Sequence, residues 1–372
     1  MKMEYTNFGE NGIKVSRLGF GAMRLPMVEV DGESVVDYDK AVKMIHEGFK
    51  KGINYIDTAI GYCNQKSEVA VGKALKGWRD DVYLSTKNPV KNESGSEWRK
   101  KLETSLEKLD TDYIDFYHMW GLGWKQYQKM NGDGGPVEAA YKAQEEGLIK
   151  NLSFSSHDSA ENIIKLIDTG HFASMLVQYN LLNRSNEKAL VHAKEKGMGT
   201  VVMGPIGGGR LAAPSTKLKE LMPESKSSVE TALRFVLANE NVDIALSGME
   251  NIDMVRQNVR IASDASSLNA EEQENVEAML EENKKLAELY CTGCEYCLPC
   301  PQGINIPRVF EIMNYDNVYG LTEHAKNKYQ DFLENEDEVS PEECIECGSC
   351  EKQCPQDLDI IEKLKETHTT LT

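Results

Sequence analysis

Along the first 268 positions, two apolar patterns alternate. Short apolar runs occur at Arg17–Gly21, Asn54–Thr58, Val82–Lys87, Tyr113–His118, Leu152–Ser155, Met175–Tyr179, Thr200–Met203 and Ile244–Ser247. Runs of this length, rich in β-branched and aromatic residues, read as buried strands. Between them lie patterns of helical period. In "DYDKAVKMIHEGFKKG", Ala41, Ile45 and Phe49 recur every four residues, and Gly52 follows as a C-cap. In "SAENIIKLIDTG", Ser159 is an N-cap ahead of Ile163, Leu166 and Ile167, and Gly170 ends the pattern. Eight strand–helix units in this span predict an α/β fold, a closed (β/α)8 TIM barrel, entered through a hairpin signal in "TNFGENGIKVSRLGFG". An open doubly wound sheet is the competing reading. No G-x-G-x-x-G follows the first strand to support it.

Past residue 268 the composition changes. Residues 269–372 carry 24 acidic and 8 basic residues, whereas residues 1–268 carry 36 and 34. The expected organisation is therefore a barrel over 1–268, a connecting helix over 269–290 and a small second domain over 291–372. The whole chain has a net charge of −18. That charge argues against non-specific binding to nucleic acid or an anionic membrane. No stretch approaches the ~18 apolar residues of a membrane span. The opening "MKMEYTNFGENG" lacks the apolar region of a secretory leader, so a cytoplasmic location is expected.

Eight of the nine cysteines fall in two runs, "CTGCEYCLPCP" and "CIECGSCEKQCP". The second has C-x2-C-x2-C-x3-C-P spacing, the bacterial ferredoxin signature, and the first is one residue shorter before its last cysteine. Zinc ribbons use separated C-x2-C pairs rather than triplets closed by Cys-Pro. Two [4Fe–4S] clusters are expected. Cys291, Cys294, Cys297 and Cys354 would hold one, and Cys344, Cys347, Cys350 and Cys300 the other. In two-cluster ferredoxins the fourth cysteine of each run ligates the cluster of the other run, and the same exchange is expected here. Helices are expected to open at Ile306–Pro307 and to span Leu321–Leu333. The second domain thus resembles the mostly α-helical two-cluster ferredoxin domains. The ninth cysteine, Cys63, reads as a small packing residue, with a redox or substrate-contact role as the alternative.

In a barrel of this kind, chemistry collects at the C-terminal strand ends. Asp57, Lys87 and His118 fall at three consecutive ends, and Tyr62 lies in the loop after Asp57. Taken singly, each is an ordinary polar group at the edge of a core. Together with "GFGAMRLP", "NYIDTAIGY", "LSTK", "YIDFYH", "GLIKNLSFSSH", "VQYN" and "LSGMENIDMVRQN", in that order over about residues 3–262, they make the chain resemble the aldo-keto reductase superfamily. Some relatives from anaerobes carry an iron–sulfur domain. The resemblance implies a catalytic tetrad of Asp57, Tyr62, Lys87 and His118. Tyr62 would protonate a carbonyl oxygen, and Lys87 would lower the phenol's pKa from its ordinary ~10. Asp57 would keep Lys87 charged, and His118 would donate to the substrate oxygen or relay a proton.

The resemblance also implies an NAD(P)H site. Ser155, Ser156 and Gln178 would hold the carboxamide, with Ser156 standing where an Asn is usual. The loop "GPIGGGRL", through Gly204, Gly208 and Gly209, would cover the pyrophosphate. Ser247, Gly248 and Met249 would lie by the ribose, and Gln257 and Asn258 by the adenine. Glu250 would repel a 2′-phosphate and favours NADH, while Arg256, about two turns on, offers a phosphate partner.

Nicotinamide moves two electrons as hydride, whereas a cubane passes one at a time, and a flavin commonly joins the two. No flavin motif is present, although a barrel mouth can hold FMN without one. Three readings stand. The first is an NAD(P)-dependent carbonyl reductase whose clusters stabilise or oligomerise it. The second is an enzyme that takes electrons from ferredoxin or another carrier through the clusters, by way of a bound flavin. The third is a non-enzymatic redox sensor with a vestigial barrel. The substrate of the first is a small-molecule carbonyl compound. Trp120, Trp124 and Tyr127, in the loop over residues 119–135, read equally as a substrate wall or as rim packing.

Overall fold

The computed structural model describes residues 2–30, 32–89, 94–181, 183–207, 211, 225–264, 268–278, 297–317, 320–354 and 358–372. Two compact units divide the chain. One comprises Met1–Gly208 and Ala232–Ser267, the other Gly209–Thr231 and Leu268–Thr372.

The first unit is built on eight parallel strands: β3 (Leu18–Gly21), β6 (Tyr55–Asp57), β7 (Tyr83–Pro89), β8 (Ile114–Trp120), β9 (Ile149–Ser156), β10 (Ser174–Gln178), β11 (Gly199–Met203) and β12 (Ile244–Gly248). β12 pairs back onto β3 and closes the barrel, as the eight apolar runs predict. Helices intervene, among them Tyr38–Lys50 and Ala160–Asp168. Ser159 caps the second of these on the Asn162 N–H, and Gly52 and Gly170 take left-handed φ of 99° and 73°.

A two-stranded hairpin of β1 (Tyr5–Asn7) and β2 (Lys14–Ser16) seals one end of the barrel. Glu10 N–H donates to Gly197 O, just ahead of β11, so this is the N-terminal end of the strands. Phe8 and Val15 from this hairpin pack with Tyr55, Phe116, Leu176, Val201, Ile244 and Leu246 inside the barrel. Phe8 meets Phe116 edge-on at 4.9 Å. Each such side chain contributes about 1.5–3 kcal/mol by leaving water. With that end plugged, the C-terminal strand ends are left for chemistry. A second hairpin, β4 (Met27–Val30) and β5 (Glu33–Val36), was not predicted from the apolar pattern. Its residues are largely exposed, so no alternation of buried positions marks it.

In the second unit, the helices Ile306–Asn317, Thr322–Leu333 and Ile360–Leu371 pack on one another. Their shared core includes Val309, Phe310, Ala325, Tyr329, Phe332 and Leu364. The first two match the expected helices. Tyr329 is fully buried, and its hydroxyl reaches His368 Nδ1 at 2.9 Å. Of the expected helix over 269–290, residues through 278 are described and are helical from Ala270. Among the described residues, no helix is long and apolar enough to cross a membrane.

Candidate active site and iron–sulfur cysteines

Strand register assembles the tetrad. Asp57 pairs with Ser85 across β6 and β7, and Lys87 pairs with His118 across β7 and β8. Side chains alternate along a strand, so Asp57, Ser85, Lys87 and His118 share the inward face with Tyr55 and Phe116. Asp57 and Lys87 are each 1% exposed and His118 is fully buried. Lys87 Nζ forms an ion pair with Asp57 Oδ2 and donates to Thr58 O at 2.8 Å. Ser85 Oγ donates to the other carboxylate oxygen, Asp57 Oδ1, at 2.8 Å. Ser85 and Thr58 were not singled out in the sequence. The period of two ahead of Lys87 was the available signal for Ser85.

Tyr62 reaches this group from the β6 loop. Cys63, Asn64 and Gln65 follow it with φ of 49°, 52° and 65°, a single left-handed turn of three non-glycine residues. Such a turn costs about 1–2 kcal/mol per residue, so its surroundings must hold it. Asn64 Nδ2 donates to Ser34 O at 2.9 Å, and the Cys63 thiol lies 3.4 Å from Met23 O. Burial pushes the Cys63 thiol pKa up, which fits a packing residue. Lys87 Nζ stands 4.8 Å from the centre of the Tyr62 ring. Trp120 meets that ring edge-on at 5.6 Å. Trp124 and Tyr127 instead stack on each other at 5.6 Å, and Tyr127 is 4% exposed, so they pack the rim.

The electrostatics follow from burial. Lys87 is held above its ordinary pKa: burial works against its charge, and Asp57 and Tyr62 outweigh it. Burial lifts Asp57, opposed by Lys87 and Ser85. For Tyr62 the net direction is upward, because burial outweighs the pull of the Lys87 ammonium. The lowered phenol pKa expected from sequence is therefore not the resting state. Lys87 reduces a rise that burial imposes. The pKa of His118 falls to about 3, first through burial and then through the Lys87 charge, with the Phe154 backbone opposing. Its imidazole is neutral; the Phe154 backbone faces one ring nitrogen, but neither nitrogen reaches full hydrogen-bond geometry among the described residues. A buried, unpaired donor beside the ammonium is a place for a ligand oxygen.

The expected coenzyme residues divide into two groups. Ser155, on the inward face of β9, accepts from Gly121 N–H at 3.1 Å, which leaves its own proton to donate. Gln178 ends β10 on the same face. Gly204 and Gly207 both have φ of 62°, and Gly207 N–H closes onto Gly204 O at 2.8 Å, a glycine turn directly after β11. These features fit a nicotinamide coenzyme. Gly208 and Gly209 lie outside the described residues.

Ser156 does not join this group. One position off in register, it donates to Leu122 O at 2.8 Å and accepts from Asp158 N–H at 3.1 Å. Met249 is fully buried, and Asn258 Nδ2 donates to Ser247 Oγ at 3.1 Å, which leaves its second N–H and its Oδ1. Gly248 and Gln257 are half-buried. Arg256 is tied to Glu47 at 2.9 Å. Arg24 pairs with Glu250 at 3.2 Å, a partner that sequence reading missed because 226 positions separate the two.

In the second unit, Cys300, Cys344, Cys347 and Cys350 line one cavity with Ile304, Ile306, Ile345, Ile361 and Leu364. The loop between the last three of these cysteines turns through left-handed Glu346 (φ 56°) and Gly348 (φ 67°). Four thiols around an apolar cavity fit a cubane, in which each sulfur binds a different iron. Among the described residues, no three His, Cys, Asp or Glu side chains converge as a single-ion site, and the described cysteines form no disulfide. Cys297 and Cys354 are described, whereas Cys291 and Cys294 lie outside the described residues.

Fold and site together define an oxidoreductase barrel joined to an iron–sulfur module. Residues 17–281 match the model of the Aldo/keto reductase family, and residues 290–358 match the 4Fe-4S dicluster domain. The chain belongs to the aldo/keto reductase family. L-galactose dehydrogenase of Arabidopsis thaliana is 28% identical over 314 residues, covering 77% of this chain and 97% of that protein. The holo form of aldo-keto reductase AKR11C1 from Bacillus halodurans superposes with a TM-score of 0.63 at 30% identity, over 74% of this chain and 96% of its own. An aldo/keto reductase from Klebsiella pneumoniae, in complex with NADP and acetate, gives 0.62 at 25% identity over 75% and 95%. Nearly all of each relative thus aligns with about three quarters of this chain.

Proposed function

We propose that the chain reduces an aldehyde or ketone with NAD(P)H, with Tyr62 as the general acid. The observation that carries this is the buried Lys87–Asp57 pair beneath the Tyr62 ring, with the unpaired His118 next to it. A bound nicotinamide coenzyme supplies the hydride to the carbonyl carbon. Ser155 and Gln178 would hold its carboxamide, and the glycine loop of Gly204, Gly208 and Gly209 would take its phosphates. Tyr62 keeps its proton until a carbonyl oxygen accepts it, and the fixed Lys87 ammonium then stabilises the phenolate. Neutral His118 donates one N–H to the same oxygen and orients it. Asp57, steadied by Ser85, keeps Lys87 charged throughout. Glu250 disfavours a 2′-phosphate, and its pairing with Arg24 weakens that bias.

In this reading the barrel spans 1–268, residues 269–290 connect, and 291–372 hold two [4Fe–4S] clusters. Cys300, Cys344, Cys347 and Cys350 hold one, and Cys291, Cys294, Cys297 and Cys354 the other. The apolar cavity around the first set supports this. In this reading the clusters take no part in hydride transfer. The test is anaerobic: the full chain is mixed with NADPH or NADH, with and without 4-nitrobenzaldehyde. Carbonyl-dependent coenzyme oxidation with unchanged absorbance near 400 nm supports the reading. Bleaching by coenzyme alone, or reduction that requires a one-electron donor, would favour the route through the clusters.

A further inference from the structure

The helix Ser67–Leu75 opens with two buried polar side chains, Ser67 at 0% exposure and Glu68 at 1%. The helix takes no side-chain cap. Ser67 and Glu68 reach instead to the barrel strands. Ser67 Oγ lies 2.7 Å from Ala22 O and 2.7 Å from Thr58 Oγ1. A carbonyl only accepts, so the single Ser67 proton goes to Ala22, and Thr58 must donate to Ser67. Thr58 is thereby held by all of its polar groups. Its N–H donates to Ser85 O at 2.9 Å, its hydroxyl to Ser67, and its carbonyl accepts from Lys87 Nζ. On the neighbouring strand, Thr86 Oγ1 donates to Glu68 Oε1 at 2.8 Å.

Strand alternation gives this arrangement its meaning. Thr58 and Thr86 follow Asp57 and precede Lys87, and their side chains leave the barrel on the outer face while the ion pair occupies the inner one. One helical turn therefore grips, from outside, both backbone segments that carry the pair. Burial raises the pKa of Glu68 against the Thr86 hydroxyl, as befits a carboxyl placed for a neutral partner rather than for solvent.

We infer that Ser67 and Glu68 are positioning residues for the Lys87–Asp57 pair, fixing Thr58 and Thr86 so that the ammonium stays aimed at Tyr62. This rests on the reading of Tyr62 as the acid. The ammonium has three N–H donors. Asp57 Oδ2 and Thr58 O take two, and the third is left for Tyr62. If Thr58 moves, the Lys87 charge moves, and the Tyr62 proton is held more tightly.

The test uses the full chain with its clusters loaded and 4-nitrobenzaldehyde as the probe carbonyl. Thr58→Val keeps the shape and removes the hydroxyl, whereas Thr58→Ser keeps the hydroxyl. Ser67→Ala and Glu68→Val remove the two anchors, and Glu68→Gln retains an acceptor for Thr86. Three quantities are read: kcat against pH, coenzyme Kd, and Tyr62 ionisation. The last comes from absorbance at 295 nm, as the difference from the matching Tyr62→Phe protein. Thr58→Val, Ser67→Ala and Glu68→Val should lower kcat about tenfold by misplacement and raise the Tyr62 ionisation by about half a unit or more, with coenzyme Kd unchanged. Thr58→Ser and Glu68→Gln should recover most of both losses. Variants that lose thermal stability but keep the parent pH profile and Tyr62 ionisation would overturn the inference. Parent activity in Tyr62→Phe alone would instead overturn the reading beneath it.

Discussion

Lys87 and His118 are register partners on adjacent parallel strands, so a buried ammonium stands beside a buried imidazole that has no carboxylate partner among the described residues. That relationship fixes the state of His118. With its pKa lowered to about 3, the folded chain refuses a proton that the unfolded chain accepts near pH 6.5. Between those values the unfolded state binds more protons, so stability falls as pH falls. From pH 6.5 to 5, the parent should lose about 1–2 kcal/mol more than His118→Phe does. Urea midpoints of the barrel at the two pH values measure the difference. An identical pH dependence in parent and variant would place the imidazole charge elsewhere.

The Lys87–Asp57 pair makes a claim about stability. Removing one member of a buried pair strands the other, at a cost of about 3–5 kcal/mol. Asp57→Ala should lose that much in denaturant unfolding. Asp57→Ala combined with Lys87→Met should recover most of it while remaining inactive. If the double variant is no more stable than Asp57→Ala, the ammonium is not the stranded charge.

The sequence made much of this geometry legible, for a physical reason. Strand ends are short apolar runs, and a polar residue that closes such a run must lie at the barrel rim. Asp57, Lys87 and His118 could be read in that way. Adjacent strand residues face opposite ways, which the apolar pattern alone did not resolve at the end of β9: Ser155 looks inward, and Ser156 bonds loop backbone. The left-handed turn Cys63–Gln65 carries no glycine to announce it. Arg24–Glu250 and Thr58–Ser67 join separate elements, and only the closed barrel brings them together. The 4Fe-4S dicluster domain was legible without a fold, because the spacing of its cysteines is local.

The cysteine-lined cavity gives an analytical prediction. Two cubanes amount to about eight irons per chain. Cys344→Ser should lower the count to about four and leave part of the absorbance near 400 nm. Cys300→Ser should do the same, because Cys300 lines the same cavity from the other run. Cys63→Ser should leave the iron count unchanged. Iron and sulfide assays on anaerobically purified protein decide this. If Cys300→Ser kept all its iron, the exchange of fourth ligands between the two runs would be wrong.

The most direct measurement is a single turnover of Tyr62→Phe. Phenylalanine keeps the ring against Trp120 and over Lys87, and removes only the hydroxyl that carries the proton. The coenzyme-loaded chain is mixed rapidly with 4-nitrobenzaldehyde, and coenzyme oxidation is followed at 340 nm. The account predicts an unchanged coenzyme Kd and a hydride-transfer rate lower by about a hundredfold to ten-thousandfold. A rate within about threefold of the parent, a difference of less than 1 kcal/mol in the barrier, would contradict it.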